Sequence, residues 1–574
     1  MLPKSNGAEP MARSVSTRDT RRMASALKLF GRLKSSALLV AAVSIMTMLP
    51  YSLTCGSVGW LPYGRRDNQS SSRLSGNSLP ILRVGIARGE QKIELRSAGK
   101  ISLKRAGRPL RVPASNEWAF EVGESLPATS SYYVCVASHN WDDRRRAFEV
   151  LKEWRRKGYR ARLIKRGRKV RIGRQLVDNR TYLLAVSSHS DRLEAVRTRD
   201  RLSRTGVEGW IEQEIVRPAR GTITARDANN TCVAQVSSPV SLVSGSPITV
   251  KNVNFGFWFE RREDRTYEGL LRISIGKDGA LQLTEVVDLE TYISGVVPAE
   301  MPSSWPGAAL QAQAVAARSE TLAKIGVRHV ADGFDLCATE HCQAYGGLGR
   351  RSPSTTAAVD ATRGKVLMRG TRPLDAVYSL NCGGHTENVE NVWTLFPDPA
   401  LRGKLDALHG THRLPSPIGE DEIAGWVTTK PDVLCSESSR EENFRWKVTY
   451  AAAKLNDIVS ATIDVGSVTD IIPVERGVSG RLKSVKIVGT REEKTVRKEL
   501  TIRSVFGNLF SAAFIVEIER DESGKPLSFT FTGAGRGHGV GMCQDGVRAM
   551  AGRGADYEQI LRHYYTDTRI VKLY

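Results

Sequence analysis

The chain has 574 residues, of which 41% are hydrophobic and 25% charged, values ordinary for a globular protein with two or three domains. Its net charge of +23 is unusual and predicts an anionic partner: a nucleic acid, a membrane surface or an acidic wall polymer. No zinc finger, RNP-type strand or basic heptad region accompanies this charge, so we expect no nucleic-acid partner.

Residues 1–60 have the pattern of an export signal. Eight Lys and Arg residues precede an apolar run from Ala37 to about Thr54. The run is near the minimum length for a membrane span, so a cleaved signal and an uncleaved membrane anchor both fit. Cys55 is a weaker candidate for lipidation, because Ser52 replaces the leucine expected three positions earlier. In every case we expect the rest of the chain to be exported to the cell envelope or periplasm.

Two further segments precede the middle of the chain. Residues 61–80 are rich in Gly, Ser, Asn and Arg and predict a linker. Residues 81–125 begin with alternating apolar positions at 82–87 and 92–95, a pattern typical of strands.

Residues 130–216 contain an internal repeat. The strand predicted at 133–139 is echoed at 183–189, and each copy is followed by a charged amphipathic helix and a second strand. Two such βαβ units predict a small α/β sandwich with both helices on one face of a sheet. Residues 142–206 carry 21 Lys and Arg against 8 Asp and Glu. This excess favours binding of a wall polymer, although a solvated surface would also explain it.

Residues 245–574 mix alternating strands with one long alanine-rich helix around 308–324, which predicts an α+β domain with a mostly antiparallel sheet. Glu300 lies in the sequence Ala299-Glu300-Met301-Pro302, which we place at the mouth of that helix. A carboxylate there either complements the positive end of the helix dipole or serves as a general acid/base.

Three later segments are rich in polar groups and glycine. They are Cys-Ala-Thr-Glu-His-Cys-Gln-Ala-Tyr-Gly-Gly at 337–347, Ser-Leu-Asn-Cys-Gly-Gly-His-Thr-Glu at 379–387 and Gly-Arg-Gly-His-Gly-Val-Gly-Met-Cys-Gln at 535–544. With the Ala-Glu-Met-Pro segment they form four motifs that closely resemble, in order, those of the SpoIID/LytB family of bacterial cell-wall proteins. The resemblance covers residues 245–574 and extends to the β segment at 81–125. The repeat at 130–216 resembles an inserted SPOR domain, a module that binds glycan strands stripped of peptide.

The family resemblance implies a lytic transglycosylase in which Glu300 is the catalytic residue. One carboxyl group is enough for this reaction, because the nucleophile is the C6 hydroxyl of the substrate's own N-acetylmuramic acid and the product is a 1,6-anhydro sugar. The carboxyl group needs a raised pKa, which apolar surroundings provide. Val296, Val297, Met301 and Trp305 are suitable neighbours in the sequence.

The same resemblance assigns substrate contacts to nine residues: Arg318, Gln343, Tyr345, Ser379, His385, Glu387, Arg536, His538 and Gln544. Two alternatives are weaker. A Ser-His-Glu hydrolase lacks the Gly-x-Ser-x-Gly elbow around Ser379, and a Cys382 nucleophile paired with His385 has no further support. The glycines at 533–541 could also form only a tight turn; nucleotide binding is disfavoured because no Lys-Ser/Thr follows them.

The segment Cys337-x3-His341-Cys342 permits two interpretations. Thiolates and imidazole at short spacing bind Zn²⁺, and His329 is a plausible fourth ligand for a structural site. Some relatives resemble this arrangement. In an oxidising compartment, a Cys337–Cys342 disulfide is the alternative. No motif indicates an organic cofactor.

Two functions therefore remain open. The first is an exported enzyme that cuts peptidoglycan, and the second is a non-catalytic wall-binding protein that stimulates a partner amidase, a role also associated with LytB-type members. The presence of Glu300 favours the enzyme. Residues 401–442 do not align with the family with confidence, and their role is open.

Overall fold

A computed structural model describes residues 79–256, 260–393, 397–408, 414–438 and 440–574. The predicted signal or anchor, Cys55 and most of the linker lie outside the described residues. Within the described ranges no helix combines the length and apolar character needed to cross a membrane.

Strands dominate the structure. In the first half of the described chain they are β1 (Ile81–Glu90), β2 (Lys92–Arg105), β3 (Arg108–Pro109), β4 (Ser115–Leu126), β5 (Thr129–Asn140), β6 (Arg162–Arg166), β7 (Lys169–Ile172), β8 (Gln175–Asp178), β9 (Thr181–His189), β10 (Trp210–Arg217), β11 (Arg220–Arg226), β12 (Cys232–Ser237), β13 (Val240–Ser244), β14 (Ile248–Asn254), β15 (Arg262–Tyr267), β16 (Leu270–Ile275) and β17 (Leu281–Asp288). In the second half they are β18 (Leu336–Cys337), β19 (Lys365–Arg369), β20 (Arg372–Pro373), β21 (Tyr378–Ser379), β22 (Arg445–Ala451), β23 (Val468–Arg476), β24 (Leu482–Gly489), β25 (Glu493–Arg497), β26 (Phe514–Arg520), β27 (Pro526–Ala534), β28 (Met542–Cys543) and β29 (Arg569–Lys572).

The α-helices of the described residues are fewer than the strands. They are α1 (Arg144–Arg156), α2 (Arg192–Arg204), α3 (Leu289–Glu300), α4 (Gly307–Lys324), α5 (Pro353–Ala361), α6 (Val389–Val392), α7 (Glu420–Thr428), α8 (Glu441–Phe444), α9 (Ala452–Ser460), α10 (Glu499–Val505), α11 (Gln544–Gly552) and α12 (Tyr557–Tyr564).

The largest sheet agrees with the predicted α+β class. Its main path runs β12-β11-β4-β2-β13-β16-β17-β1-β18, and every pairing in it is antiparallel except that of β1 with β18. The strands predicted at 81–125 therefore belong to the same sheet as β11 to β18. In the sequence, the inserted repeat separates these two groups of strands. A second apolar core lies between β22–β27 and helices α9 and α10.

The repeat at 130–216 forms a four-stranded antiparallel sheet in the order β10-β5-β9-β6. Its two βαβ units are β5-α1-β6 and β9-α2-β10, and both helices pack on the same face through Ala147, Leu151, Trp154, Ala195 and Leu202. The module contacts the C-terminal end of α4, where the side-chain amide of Asn179 donates hydrogen bonds of 2.8 Å to the carbonyls of Leu322 and Ile325. It thus satisfies carbonyls that a helix end leaves without intrahelical partners.

Helix α4 is buried along nearly its whole length. It packs against α3, α5, α11, α12 and β19. Six of its residues from Ala308 to Ala317 are alanines, whose small side chains allow neighbours to approach on every side. Its few polar side chains, among them Arg318, are buried as well, so α4 lies inside the protein.

One buried ion pair fixes α4 against α3. Arg318 is fully buried, and its Nε and Nη2 donate to the two carboxylate oxygens of Glu290 at 3.0 and 2.9 Å. Glu290 also accepts hydrogen bonds from the backbone N–H of Gly364 at 3.1 Å and from the hydroxyl of Tyr574. The Glu290 carboxylate therefore connects helices α3 and α4 with Gly364, which precedes β19, and with the C-terminal residue.

We expect Arg318→Ala to lower the free energy of unfolding by about 3–5 kcal/mol, because it leaves Glu290 buried without its cation. Arg562→Ala, which removes an exposed pair with Glu558 on α12, should cost no more than about 0.5 kcal/mol. Urea denaturation of both variants measures the difference. Equal effects would contradict the role given to the buried pair.

Candidate active site

Glu300 is the last residue of α3 and does not open the alanine-rich helix, so its predicted position at the start of that helix is wrong. The chain leaves the helix at Met301, whose backbone is extended (φ −130°, ψ 140°), because a residue before proline disfavours helical backbone. Pro302 and Pro306 then separate α3 from α4. A helix C-terminus carries partial negative charge, so the helix dipole gives no stabilisation to a carboxylate here.

Three elements contact the end of α3. The backbone N–H of Ala344 donates a 2.7 Å hydrogen bond to Oε1 of Glu300. From α11, the Gln544 side-chain amide lies 3.5 Å from the Glu300 carbonyl oxygen and 3.4 Å from Oε1 of Gln313. The hydroxyl of Tyr378 on β21 is buried without a hydrogen bond of standard geometry, yet it interacts with the Glu300 carboxylate. Glu300 is itself half-buried.

Burial raises the pKa of Glu300 to about 7. The Ala344 N–H and the Tyr378 hydroxyl act in the opposite direction, whereas the nearby carboxylates of Glu320 and Glu340 add to the rise. Near neutral pH, Glu300 is therefore populated both with and without its proton. This is the property that a general acid/base requires.

The glycine-rich loop at 535–541 forms the wall beside Tyr378. Strand β21 pairs in parallel with β28, and the backbone N–H of Gly539 donates a 3.2 Å hydrogen bond to Oγ of Ser379. Gly537 has φ +102°, and a Cβ at this position would lie 2.9 Å from Cβ of Ser379. Glycine is therefore required both for the backbone conformation and for the close approach.

Arg536 and His538 are half-buried residues on this loop. The Arg536 guanidinium lies 4.6 Å from the ring centroid of Phe510 and donates to the Asn443 side chain at 3.2 Å. Burial lowers the pKa of His538 to about 3, and its Nδ1 accepts a 3.1 Å hydrogen bond from the backbone N–H of Val540. The loop therefore offers one permanent cation and one neutral imidazole.

Three of the residues predicted to contact substrate are enclosed in the core. Arg318 has no exposed surface, and Gln343 and Tyr345 are each 1% exposed. Gln343 donates to the Glu320 carboxylate at 2.6 Å, and the Tyr345 hydroxyl donates to the Glu285 carboxylate at 2.8 Å. In the structure, these side chains bind carboxylates in the core.

His385 and Glu387, which were also predicted to contact substrate, are buried. Nε2 of His385 lies 2.9 Å from Oγ of Ser416. The Glu387 carboxylate accepts four hydrogen bonds from residues outside itself and its neighbour in the chain, including one of 2.6 Å from the hydroxyl of Ser479. Glu387 thereby joins the 379–387 segment to the loop before β24. Ser379 and Gln544 are 7% and 4% exposed, so their contacts with Gly539 and Glu300 position the wall of the site.

The four predicted metal ligands come together. Donor atoms of His329, Cys337, His341 and Cys342 all lie within 4.8 Å of one another. Cys337 and Cys342 are free thiols, with no disulfide between them. Nδ1 of His329 lies 2.8 Å from the carboxylate of Asp332, a geometry common for a histidine whose other ring nitrogen binds a metal.

No role was predicted from the sequence for Tyr378, Gln313 or the backbone of Ala344. Tyr378 adjoins Ser379 in a motif segment, so its position was a usable signal. Gln313, a polar residue in a helix made mostly of alanine, was another. Ala344 contributes only a backbone N–H, which no side-chain pattern reveals.

Residues 401–442 cover the 379–387 segment where the structure describes them. The Trp426 indole N–H donates a 3.0 Å hydrogen bond to the Gly383 carbonyl, and its ring fills the space beside Gly384. His409 and His412 lie outside the described residues.

Comparisons with known proteins give two family matches. A model described as stage II sporulation protein (SpoIID) matches residues 277–368, and one described as a domain of unknown function (DUF8618) matches residues 387–541. The first range contains Glu300 and the Cys/His cluster, and the second contains Arg536 and His538.

Three relatives are each similar to this chain over about half of its length. The amidase enhancer of Bacillus subtilis (strain 168) is 29% identical over 306 residues, which cover 48% of this chain and 40% of the relative. An uncharacterized protein of Brachyspira hyodysenteriae is 28% identical over 321 residues, covering 55% and 76%. Stage II sporulation protein D of Bacillus amyloliquefaciens is 27% identical over 296 residues, covering 49% and 73%. The chain thus spans less than half of the amidase enhancer and about three quarters of the other two.

The raised pKa of Glu300 predicts a pH dependence of stability. Between pH 4.5, the ordinary pKa of a glutamate, and about pH 7, Glu300 keeps its proton in the folded chain but has released it in the unfolded chain. The stability of the folded chain therefore falls as the pH rises through this window. The wild type should therefore lose stability relative to Glu300→Gln between pH 4.5 and 7. Urea unfolding at several pH values measures this; the exposed Glu124→Gln variant should show no such divergence. A constant difference between the wild type and Glu300→Gln would contradict the raised pKa.

Proposed function

We propose that this chain, a member of the SpoIID/LytB family of cell-wall proteins, is an exported lytic transglycosylase that cleaves peptidoglycan glycan strands. The observation that carries the proposal is the half-buried Glu300 carboxyl group, whose pKa burial raises to about 7 at the junction of α3, β21 and α11. The proposal also rests on the fact that a lytic transglycosylase needs only one carboxyl group.

In the proposed reaction, protonated Glu300 first acts as a general acid. Its proton passes to the glycosidic oxygen as the bond between that oxygen and C1 of N-acetylmuramic acid breaks. The resulting carboxylate then accepts the proton of the C6 hydroxyl, whose oxygen bonds to C1. One bond breaks and one forms, no water is consumed, and Glu300 regains its proton. The products are a free 4-hydroxyl end and a 1,6-anhydro-muramic end.

The neighbours of Glu300 fit these steps. The Ala344 N–H and the Tyr378 hydroxyl lower its pKa, so both stabilise the carboxylate that forms after the first proton transfer. His538 is neutral and cannot replace Glu300 as a proton donor, but its ring, which lies 4.9 Å from that of Trp393, can pack against a sugar.

Peptide-free strands fit the charge of the protein. Removal of the peptide leaves a lactyl carboxylate on each muramic acid, so the strand becomes a polyanion. Arg536 beside the site, and the basic 142–206 segment of the inserted module, supply cations for such a polymer. We assign glycan tethering to this SPOR-like module.

We further assign a structural Zn²⁺ to His329, Cys337, His341 and Cys342. Two thiolates and two imidazoles suit zinc, and the Asp332 carboxylate orients His329. The metal would order the 337–342 loop, which leads to the Ala344 N–H on Glu300. In this position it would have no part in the proton transfers.

Glu300→Gln and Glu300→Ala should reduce the formation of anhydro-muramic ends by about 100-fold or more, because both remove the proposed proton donor. Mass spectrometry of peptide-free strands after incubation measures these ends. Wild-type activity should fall above about pH 7, where Glu300 loses its proton.

Glu340→Gln is the matched control, since Glu340 is an exposed carboxylate whose charge acts on Glu300. We expect it to keep activity within about 10-fold. A loss equal to that of Glu300→Gln would instead indicate two catalytic carboxylates and overturn the single-carboxyl mechanism.

The second candidate function is stimulation of a partner N-acetylmuramoyl-L-alanine amidase, favoured by the similarity to a relative named amidase enhancer. In this case, strands would stay intact with both the wild type and Glu300→Gln. The purified chain would instead increase peptide release by the amidase, and Glu300→Gln would increase it equally.

The basic module predicts salt-dependent binding. Replacing the exposed Arg144, Arg145 and Arg146 of α1 by Glu should weaken binding to peptide-free strands by about 10-fold or more at low salt and reduce its salt dependence. The same reversal at the exposed Arg497, Lys525 and Arg562 gives an equal change of net charge outside the module. Co-sedimentation with strands measures both. Equal losses would show that net charge, and not the module, determines binding.

A further inference from the structure

A second cluster of soft donor atoms lies behind the glycine-rich loop. The side chains of Cys382, Asp406, Cys435 and Cys543 place their sulfur and carboxylate atoms within 4.8 Å of one another. All four residues are at most 2% exposed. They come from four segments that are distant in the sequence, and none belongs to the cluster of His329, Cys337, His341 and Cys342.

The spacing of these atoms fits a tetrahedral metal site. Sγ of Cys382 lies 3.6 Å from Sγ of Cys435 and 3.2 Å from Oδ2 of Asp406. Zinc binds sulfur at about 2.3 Å and carboxylate oxygen at about 2.0–2.2 Å, which puts tetrahedral ligand atoms roughly 3.5–3.8 Å apart. Small side-chain movements would therefore bring all four atoms into coordination.

The carboxylate of Asp406 has no exposed surface and no Arg or Lys bound to it among the described residues. The nearest basic side chain is that of His563, whose Nε2 lies 3.3 Å from Oδ1. Burying a carboxylate without a matching cation costs free energy. The Asp406 carboxylate also lies beside the three thiols of the cluster. A divalent metal would bind the carboxylate and all three sulfur atoms and offset two of their four negative charges, whereas a single disulfide would leave one thiol and the carboxylate in place.

Neighbouring residues form hydrogen bonds with the four side chains and leave space for them, as the residues around metal ligands commonly do. The Tyr564 hydroxyl donates a 2.8 Å hydrogen bond to Oδ1 of Asp406, which leaves Oδ2 directed at Cys382. The backbone N–H of Cys382 donates to Sγ of Cys543 at 3.2 Å. Gly546 of α11 provides the space, because a Cβ there would overlap the Tyr564 hydroxyl and the Asp406 carboxylate. Such second contacts fix the orientation of ligands and tune their metal affinity.

We propose that Cys382, Asp406, Cys435 and Cys543 form a structural Zn²⁺ site. Three thiolates and one carboxylate in a closed, fully buried site favour zinc over Mg²⁺ or Ca²⁺, which prefer oxygen ligands. The metal joins the 379–387 segment, the 401–442 region and the start of α11. Gln544, which contacts Glu300, directly follows the ligand Cys543. The site therefore sets the position of one wall of the candidate active site, whichever function that site performs.

The first experiment counts metal in the full-length chain, purified in detergent without chelator, by elemental analysis. Cys435→Ser should contain one zinc equivalent less than the wild type. His341→Ala, in the other cluster, should leave this equivalent in place, and Cys135→Ser, a buried thiol outside both clusters, should change nothing. Equal zinc content in the wild type and Cys435→Ser would overturn the proposal.

A second measurement needs no substitution at a ligand. X-ray absorption of the wild type should give about 2.5 sulfur ligands per zinc if both clusters are filled, and about 3 if only the proposed site is filled. One equivalent with about 2 sulfur ligands, or a Cys382–Cys435 disulfide found by mass spectrometry of the unreduced chain, would exclude it.

Tyr564→Phe, which removes only the hydrogen bond to Asp406, should weaken zinc binding about 10-fold in a chelator competition. Tyr565→Phe, whose hydroxyl contacts the Ala376 and Val377 carbonyls, should leave it unchanged.

Discussion

The close packing around helix α4 is the constraint on which the rest of the structure depends. Its alanines let α3, α5, α11 and α12 approach a single buried axis. The Arg318–Glu290 pair then fixes the rotation of α4 relative to α3. Because Glu300 ends α3 and Gln544 begins α11, the geometry of the candidate site follows directly from how these helices meet. A bulkier residue in α4 would separate the two sides of the site.

The same packing explains the chemistry proposed for Glu300. The carboxyl group lies where three elements exclude water, next to a helix C-terminus and two other carboxylates, and each of these features disfavours its charge. The Ala344 N–H and Tyr378 hydroxyl limit the rise, so the pKa stays close to neutrality. A proton can therefore leave and return at small cost, as a single acid/base requires.

Two cysteine-containing clusters flank this site. The His329, Cys337, His341 and Cys342 cluster precedes the Ala344 N–H, and the Cys382, Asp406, Cys435 and Cys543 cluster precedes Gln544. If both hold zinc as proposed, each metal fixes the residue that contacts Glu300 from one side. The carboxyl group of Glu300 would then be positioned by two metal-bound loops.

The sequence alone was enough to predict the α+β class, the long alanine-rich helix and the βαβ repeat, and to indicate Glu300 and the first Cys/His cluster as candidates. These features depend on local periodicity or on residues a few positions apart. The sequence could not determine that Arg318, Gln343, Tyr345, His385 and Glu387 face the core, because a polar residue in a motif is equally compatible with binding a ligand and with binding a distant partner in the fold. It also could not place Glu300 at the end of α3, or bring Cys382, Asp406, Cys435 and Cys543 together. Those outcomes depend on contacts between segments as far apart in the sequence as Glu300 and Gln544, which are separated by 244 residues, so local patterns cannot reveal them.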